Sequence, residues 1–220
     1  MGHDGILRPV ANRPGPGALH WHLAPHPELS PDLRVMLQPG AAYRRLAAHP
    51  PSGRWLLFRR PLLVAFVLGC TVSLLTARGL SLGLVASGAV TWSFVPLLEM
   101  GALAVVWSFG NRRLSLPRAV DAGFTGHAAW SLWLLLFGAW WSRFPLPIAS
   151  EAAVWFWLTS AAAVLAWSAW VDYCFHRSVL DSSPAQSLRN LVVQRGLCWI
   201  PGIILFGYGS LWSDLVELWR

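Results

Sequence analysis

Apolar residues in this chain come in long blocks separated by short, arginine-bearing polar segments. The blocks show neither the one-sided stripe of a surface helix nor the alternation of a strand. A helix rises about 1.5 Å per residue and the hydrocarbon core of a bilayer is about 30 Å thick, so about 20 apolar residues suffice to cross. The pattern predicts five crossings: 61–77, 84–109, 119–141, 152–173 and 196–212. The first is short, but Leu56, Leu57 and Phe58 extend it and flanking arginines can snorkel. Residues 80–83 lie at the interface before the second, where Pro96 frees the carbonyl of Trp92 and predicts a kink. The fold class is all-α, a polytopic helical membrane protein with about five transmembrane helices and a cytoplasmic N-terminal tail.

Helix boundaries follow from local chemistry. Ser30-Pro31-Asp32 reads as a helix start, and 39–48 as a second short helix with Tyr43, Leu46 and Ala47 toward the membrane surface. Ser115 with Pro117, Ser150 with Glu151, and Ser183 with Pro184 open later helices. The last of these carries Leu188, Leu191, Val192 and Arg195 near one face; it is expected to lie along the interface before turning into the fifth span. Residues 143–147 form a tight turn. The chain divides into a Pro/His/Arg-rich tail, 1–55, with short interfacial helices, and a five-span domain, 56–220.

Composition agrees with lipid as the solvent: 55% of the 220 residues are hydrophobic and 12% charged. Soluble packing would need helices with a polar face, and these have none. No cleavable signal precedes the first span, since the opening segment is polar and holds nine of the sixteen prolines. All seventeen basic residues are arginine. With the N-terminus cytoplasmic, fourteen fall on inner segments and only Arg78, Arg143 and Arg220 on outer ones, as the positive-inside rule requires. The expected location is the bacterial inner membrane with the C-terminus outside. Arg44, Arg45, Arg59, Arg60, Arg112 and Arg113 are assigned to anionic headgroups on the cytoplasmic side, and nucleic acid is not an expected partner. Cys70, Cys174 and Cys198 form no CxxC pair and are read as reduced thiols.

Tryptophans Trp140, Trp141, Trp155, Trp157, Trp212 and Trp219 fall at the outer boundary and Trp107, Trp170 and Trp199 at the inner one. Trp92, Trp130 and Trp133 sit deeper, either filling gaps between helices or meeting a pigment, quinone or haem. No cofactor follows from the residues themselves.

Polar groups within the spans are few. Glu99 shares a helical face with Trp92, Val95, Pro96, Ala102 and Leu103, and a carboxylate toward lipid costs about 2.5 kcal/mol or more. It must face other helices, as a register-fixing hydrogen bond or as a proton-relay or ligand group. With Asp121, His127, Asp172 and His176 it forms a candidate buried polar network, Asp172 and His176 being four residues apart on one face. The bland alternative pairs Asp172 with Arg112, Arg113 or Arg177 and has His127 donate to a backbone carbonyl. A carboxylate metal site is conceivable, but the repeated Glu-x-x-His of such bundles is absent, and no metal is assigned. His20-Trp21-His22 with His26 is a second possible chelate. No HExxH, GxSxG, Walker or dinucleotide-binding pattern occurs, which removes the familiar enzyme classes.

Residues 38–46, Gln38-Pro39-Gly40-Ala41-Ala42-Tyr43-Arg44-Arg45-Leu46, stand just before the first of five spans and after a cytoplasmic tail. In this the chain resembles the bacterial relatives of the YIPF-type, Rab-GTPase-interacting membrane proteins, over roughly 38–213. The Asp-Leu-Tyr-Gly-Pro-type signature of the eukaryotic members is missing, and Pro31-Asp32-Leu33-Arg34 does not replace it. The resemblance implies a non-enzymatic, membrane-organising or partner-binding protein, and the expected role is a membrane scaffold that binds other membrane proteins through its tail and tryptophan-rich helix faces. Two other readings stay open: an accessory transmembrane subunit of a redox or light-harvesting complex, and a small transporter or intramembrane metal-dependent enzyme using Glu99, Asp172, His127 and His176.

Overall fold

The computed structural model describes residues 30–48, 53, 55–110, 114–144 and 150–218, with side chains as far as residue 207. The His20, His22 and His26 group, Arg54, Arg112, Arg113, most of the 143–147 turn, and the side chains of Trp212 and Trp219 lie outside the described residues.

The described chain is all-helical: α1 Pro31–Leu37, α2 Pro39–Ala48, α3 Leu56–Ala77, α4 Leu82–Thr91, α5 Phe94–Phe109, α6 Leu116–Thr125, α7 Ala128–Arg143, α8 Glu151–Ser178 and α9 Pro184–Leu218. Four helical segments are long and apolar enough to cross a bilayer: Leu56–Ala77, Leu82–Phe109, Glu151–Ser178 and Pro184–Gly207. This is the architecture of a polytopic helical membrane protein. Several starts are capped as the serines required. Ser30 Oγ accepts from Leu33 N, and Ser150 Oγ accepts from Ala153 N. Ser183 and Gln186 cap each other reciprocally at the head of α9.

The second crossing bends where Pro96 demands it. The Trp92 carbonyl, denied its usual donor, accepts from Val95 N at 3.0 Å, and the helix resumes as α5 after Trp92 and Ser93. The α3–α4 hairpin turns at Arg78, which takes a left-handed φ of 55°, while Ser73 Oγ donates to the Gly79 carbonyl and accepts from Ser81 N. Gly69 brings the two backbones together: a Cβ there would stand 2.2 Å from the Val85 carbonyl oxygen.

Three expectations are corrected. The third crossing, 119–141, is not one helix but α6 and α7, divided at Gly126 and His127, where Gly126 N and His127 N bond the carbonyls of Gly123 and Phe124. Gly126 permits the break's tight surroundings, since a Cβ would meet Val171 Cγ1 at 2.8 Å and the Tyr43 hydroxyl at 3.0 Å. The interfacial helix after Ser183 is not a separate element from the last span; α9 is one continuous helix of 35 residues that includes Pro201. Tyr43 faces inward, fully buried and edge-on to Phe175 at 5.7 Å. Burial pushes its hydroxyl well above the ordinary tyrosine range, with Asp172 adding to the effect.

The core is concentrated at the end of the bundle where α1 and α2 dock. Val35, Tyr43, Val106, Val120, Phe124, Val171, Phe175 and Leu180 form one buried cluster there. A charge network closes the same region. Arg59 makes a bidentate contact with Asp121, at 2.6 and 2.7 Å, while Arg60 bonds Asp121 and also Asp32 of α1. Arg44 and Arg45 are exposed on α2.

Candidate functional site

Toward the middle of the bundle the helices separate around a cavity of about 520 Å³. Val64, Val67 and Leu68 of α3 line it, with Trp92 and the first turns of α5, His127, Trp130, Ser131 and Leu134 of the α6–α7 segment, Leu165, Ser168 and Asp172 of α8, and the face of α9 from Arg195 to Phe206. The wall is mainly apolar and aromatic. Trp92 lies 5.9 Å from the Phe206 ring and 5.7 Å from Phe94. Its Pro96 bend is what allows residues flanking the break, Trp92 and Phe94, both to reach the cavity.

Glu99 looks toward α9, as its cost in lipid required. One carboxylate oxygen accepts from the Gln194 amide and the other from the Cys198 thiol at 2.9 Å. Gln194 and Cys198 are four residues apart, so one helical face supplies both donors. On the same side of α9, Arg195 donates to Asp172 and, at 2.8 Å, to Ser168, one turn earlier on α8. Its guanidinium carbon also sits 5.8 Å over the Trp199 ring. Asp172 is therefore paired inside the bundle with Arg195, not with Arg177, whose Nη1 donates to the Ser182 carbonyl.

The histidines differ from expectation. His127 stacks on Phe124 at 4.8 Å, and its Nδ1 is buried without a partner, so that nitrogen donates to no backbone carbonyl. His176 is fully buried beside Gln194, Glu99 and Arg195.

Of the five residues of the candidate network, Glu99, His127 and Asp172 line the cavity and His176 stands behind it. Asp121 belongs elsewhere, to the network with Arg59 and Arg60, whose guanidinium groups are turned to that carboxylate. Sequence reasoning missed Ser168, Gln194 and Cys198 and counted Arg195 only as a surface charge. The available signal was a Gln-Arg pair in a stretch otherwise apolar enough to cross the membrane. Among the described residues no group of three or more His, Cys, Asp or Glu side chains converges to hold a metal ion.

The deep tryptophans divide between two tasks. Trp92 and Trp130 line the cavity, whereas Trp133 packs between helices, stacked on Trp130 and Phe137, edge-on to Trp157 of α8, with its Nε1 donating to Ser160 at 2.9 Å. No protein-family model, characterised protein or solved structure matches the chain.

Proposed function

We propose that the protein is a non-enzymatic integral membrane protein that acts by binding: it holds a membrane-resident molecule in the central cavity and presents the exposed faces of α8 and α9 to partner membrane proteins. The observation that carries this reading is how the cavity's ionisable groups are engaged. Asp172 and Arg195 are joined to each other, and both Glu99 oxygens accept from α9. Reactive thiols sit beside cations or helix N-termini, but the neighbour of Cys198 is a carboxylate. Such a set serves to fix and orient. The outer faces of α8 leave Trp155, Phe156 and Trp170 more than half exposed, apolar surface for lipid or a partner helix. The YIPF-type resemblance fits the same reading, since that family organises membranes through partners.

We place the protein in the bacterial inner membrane with its N-terminus cytoplasmic, α6 and α7 together making the third of five passes and the C-terminus outside. Gly110 and Leu180, from loops assigned to the inner side, lie together: a Cβ on Gly110 would be 3.7 Å from Leu180 Cβ. Cysteine-accessibility labelling of the two termini tests this orientation. Native mass spectrometry of the full chain released from its own membranes tests the function. A retained small molecule or a stoichiometric partner is expected; bare, solitary protein would refute the reading. The second reading, an accessory subunit of a redox or light-harvesting complex, draws on the same aromatic wall, and a bound chromophore in the absorption spectrum would select it.

A further inference from the structure

We infer that the cavity takes a lipophilic monocation, an organic ammonium or phosphonium carried on an apolar body, with the Glu99 carboxylate as its counter-ion; this rests on reading the cavity as a binding site. The charged side chains on the lining are Glu99, Asp172 and Arg195. Arg195 is taken up by Asp172, so that pair is neutral in sum. Glu99 has only the neutral Gln194 amide and Cys198 thiol, each donating to one of its oxygens. Neither of those neighbours carries a positive charge, so neither can serve as a counter-ion to Glu99.

The other titratable neighbours do not restore the balance. Val64, Val67 and Leu68 of α3 bring no charge, and the two Glu99 oxygens are met by Gln194 and Cys198, not by His127 or His176. With Glu99 as a carboxylate the lining carries one more negative than positive charge, in surroundings of low dielectric where such an excess acts strongly. Its walls suit the same ligand. Trp92, Trp130 and Trp199 present aromatic rings, whose faces attract cations, and Trp199 already receives the Arg195 guanidinium. The volume lies in the range of small-molecule sites, about 300–1,000 Å³. A bare metal ion is disfavoured because only two carboxylates line the wall and one is paired. An anionic amphiphile would meet both carboxylates with the guanidinium already engaged.

The test is calorimetric titration of the detergent-solubilised full chain with tetraphenylphosphonium, with neutral triphenylphosphine oxide and anionic tetraphenylborate as comparisons. Saturable binding of the cation is expected, about tenfold or more tighter than either comparison, and in Glu99→Gln it should fall to the level of the neutral probe. Equal affinity for cation and neutral probe, or cation binding unmoved by Glu99→Gln, overturns the charge assignment and leaves the cavity a binding site. Saturable binding of none of the three removes the binding site as well.

Discussion

Arg60 and Asp121 stand sixty-one positions apart in the chain, yet the Arg60 guanidinium bonds both the carboxylate and the main-chain carbonyl of Asp121. Through its other nitrogens it reaches Asp32 at 3.1 and 3.2 Å, so one side chain ties α1, α3 and α6. Asp121 is 2% exposed, while the Arg59 and Asp32 side chains are 38% and 39% exposed. Removing the buried partner leaves cations without their counter-charge, at a cost of about 3–5 kcal/mol. Asp121→Ala should therefore lower detergent stability far more than Arg59→Ala or Asp32→Ala, each expected at about 1 kcal/mol or less. Equal melting losses for the three would contradict this ranking.

The Asp172–Arg195 pair makes a second prediction. Either single replacement, Asp172→Leu or Arg195→Met, strands a charge inside the bundle and should destabilise by about 3 kcal/mol or more. The double variant, with apolar groups of similar size at both places, should recover most of that loss. Additive losses in the melting temperature would show that the two residues act independently.

Glu99 is expected to respond to shape and polarity separately. Glu99→Gln keeps a hydrogen-bonding side chain opposite Gln194 and Cys198 and should change stability by less than about 1 kcal/mol. Glu99→Leu orphans the Gln194 amide, which is 2% exposed, and should cost about 1–2 kcal/mol. Thermal unfolding in detergent that leaves both variants equal to wild type would remove the structural role of this carboxyl.

Glycines in the α3–α4 hairpin offer a paired control. Gly69→Ala forces the two backbones apart and should cost about 2 kcal/mol or more, because the neighbour at 2.2 Å is main chain. Gly83→Ala meets nothing within 4 Å and should be neutral or stabilising by about 0.5–1 kcal/mol through helix propensity. A reversed order would mean that α3 and α4 do not meet at Gly69.

Tyr43 has a buried hydroxyl with no hydrogen-bond partner. Tyr43→Phe should then stabilise by about 1 kcal/mol, the reverse of most core changes. Because burial raises its folded pKa above the unfolded value of about 10, the folded form favours the protonated hydroxyl. Stability should fall as pH rises above about 10, where the unfolded chain ionises first, and Tyr43→Phe should flatten that alkaline slope. Unfolding curves of the two proteins at neutral and alkaline pH decide it.

Hydrophobic block length and capping chemistry, both local properties, were enough to define α1, α2, α3 and α8 closely, and Pro96 alone located the bend at Trp92. That Glu99 faces other helices was also legible, because lipid makes a carboxylate on the outer face too costly. The division of α6 from α7 was not. An apolar run containing Gly123 and Gly126 reads as continuous until Tyr43 of α2 and Val171 of α8 press against Gly126. The identity of each charged group's partner lay equally out of reach. Asp172 pairs with Arg195 and not with Arg177 of its own helix end, and Asp121 left the central group for Arg59 and Arg60. Periodicity fixes where a residue lies around its own helix axis, and the solvent fixes which blocks must be helices. How the helices are rotated and spaced about one another depends on contacts distant in the chain, and those contacts alone created the cavity and decided which polar groups border it.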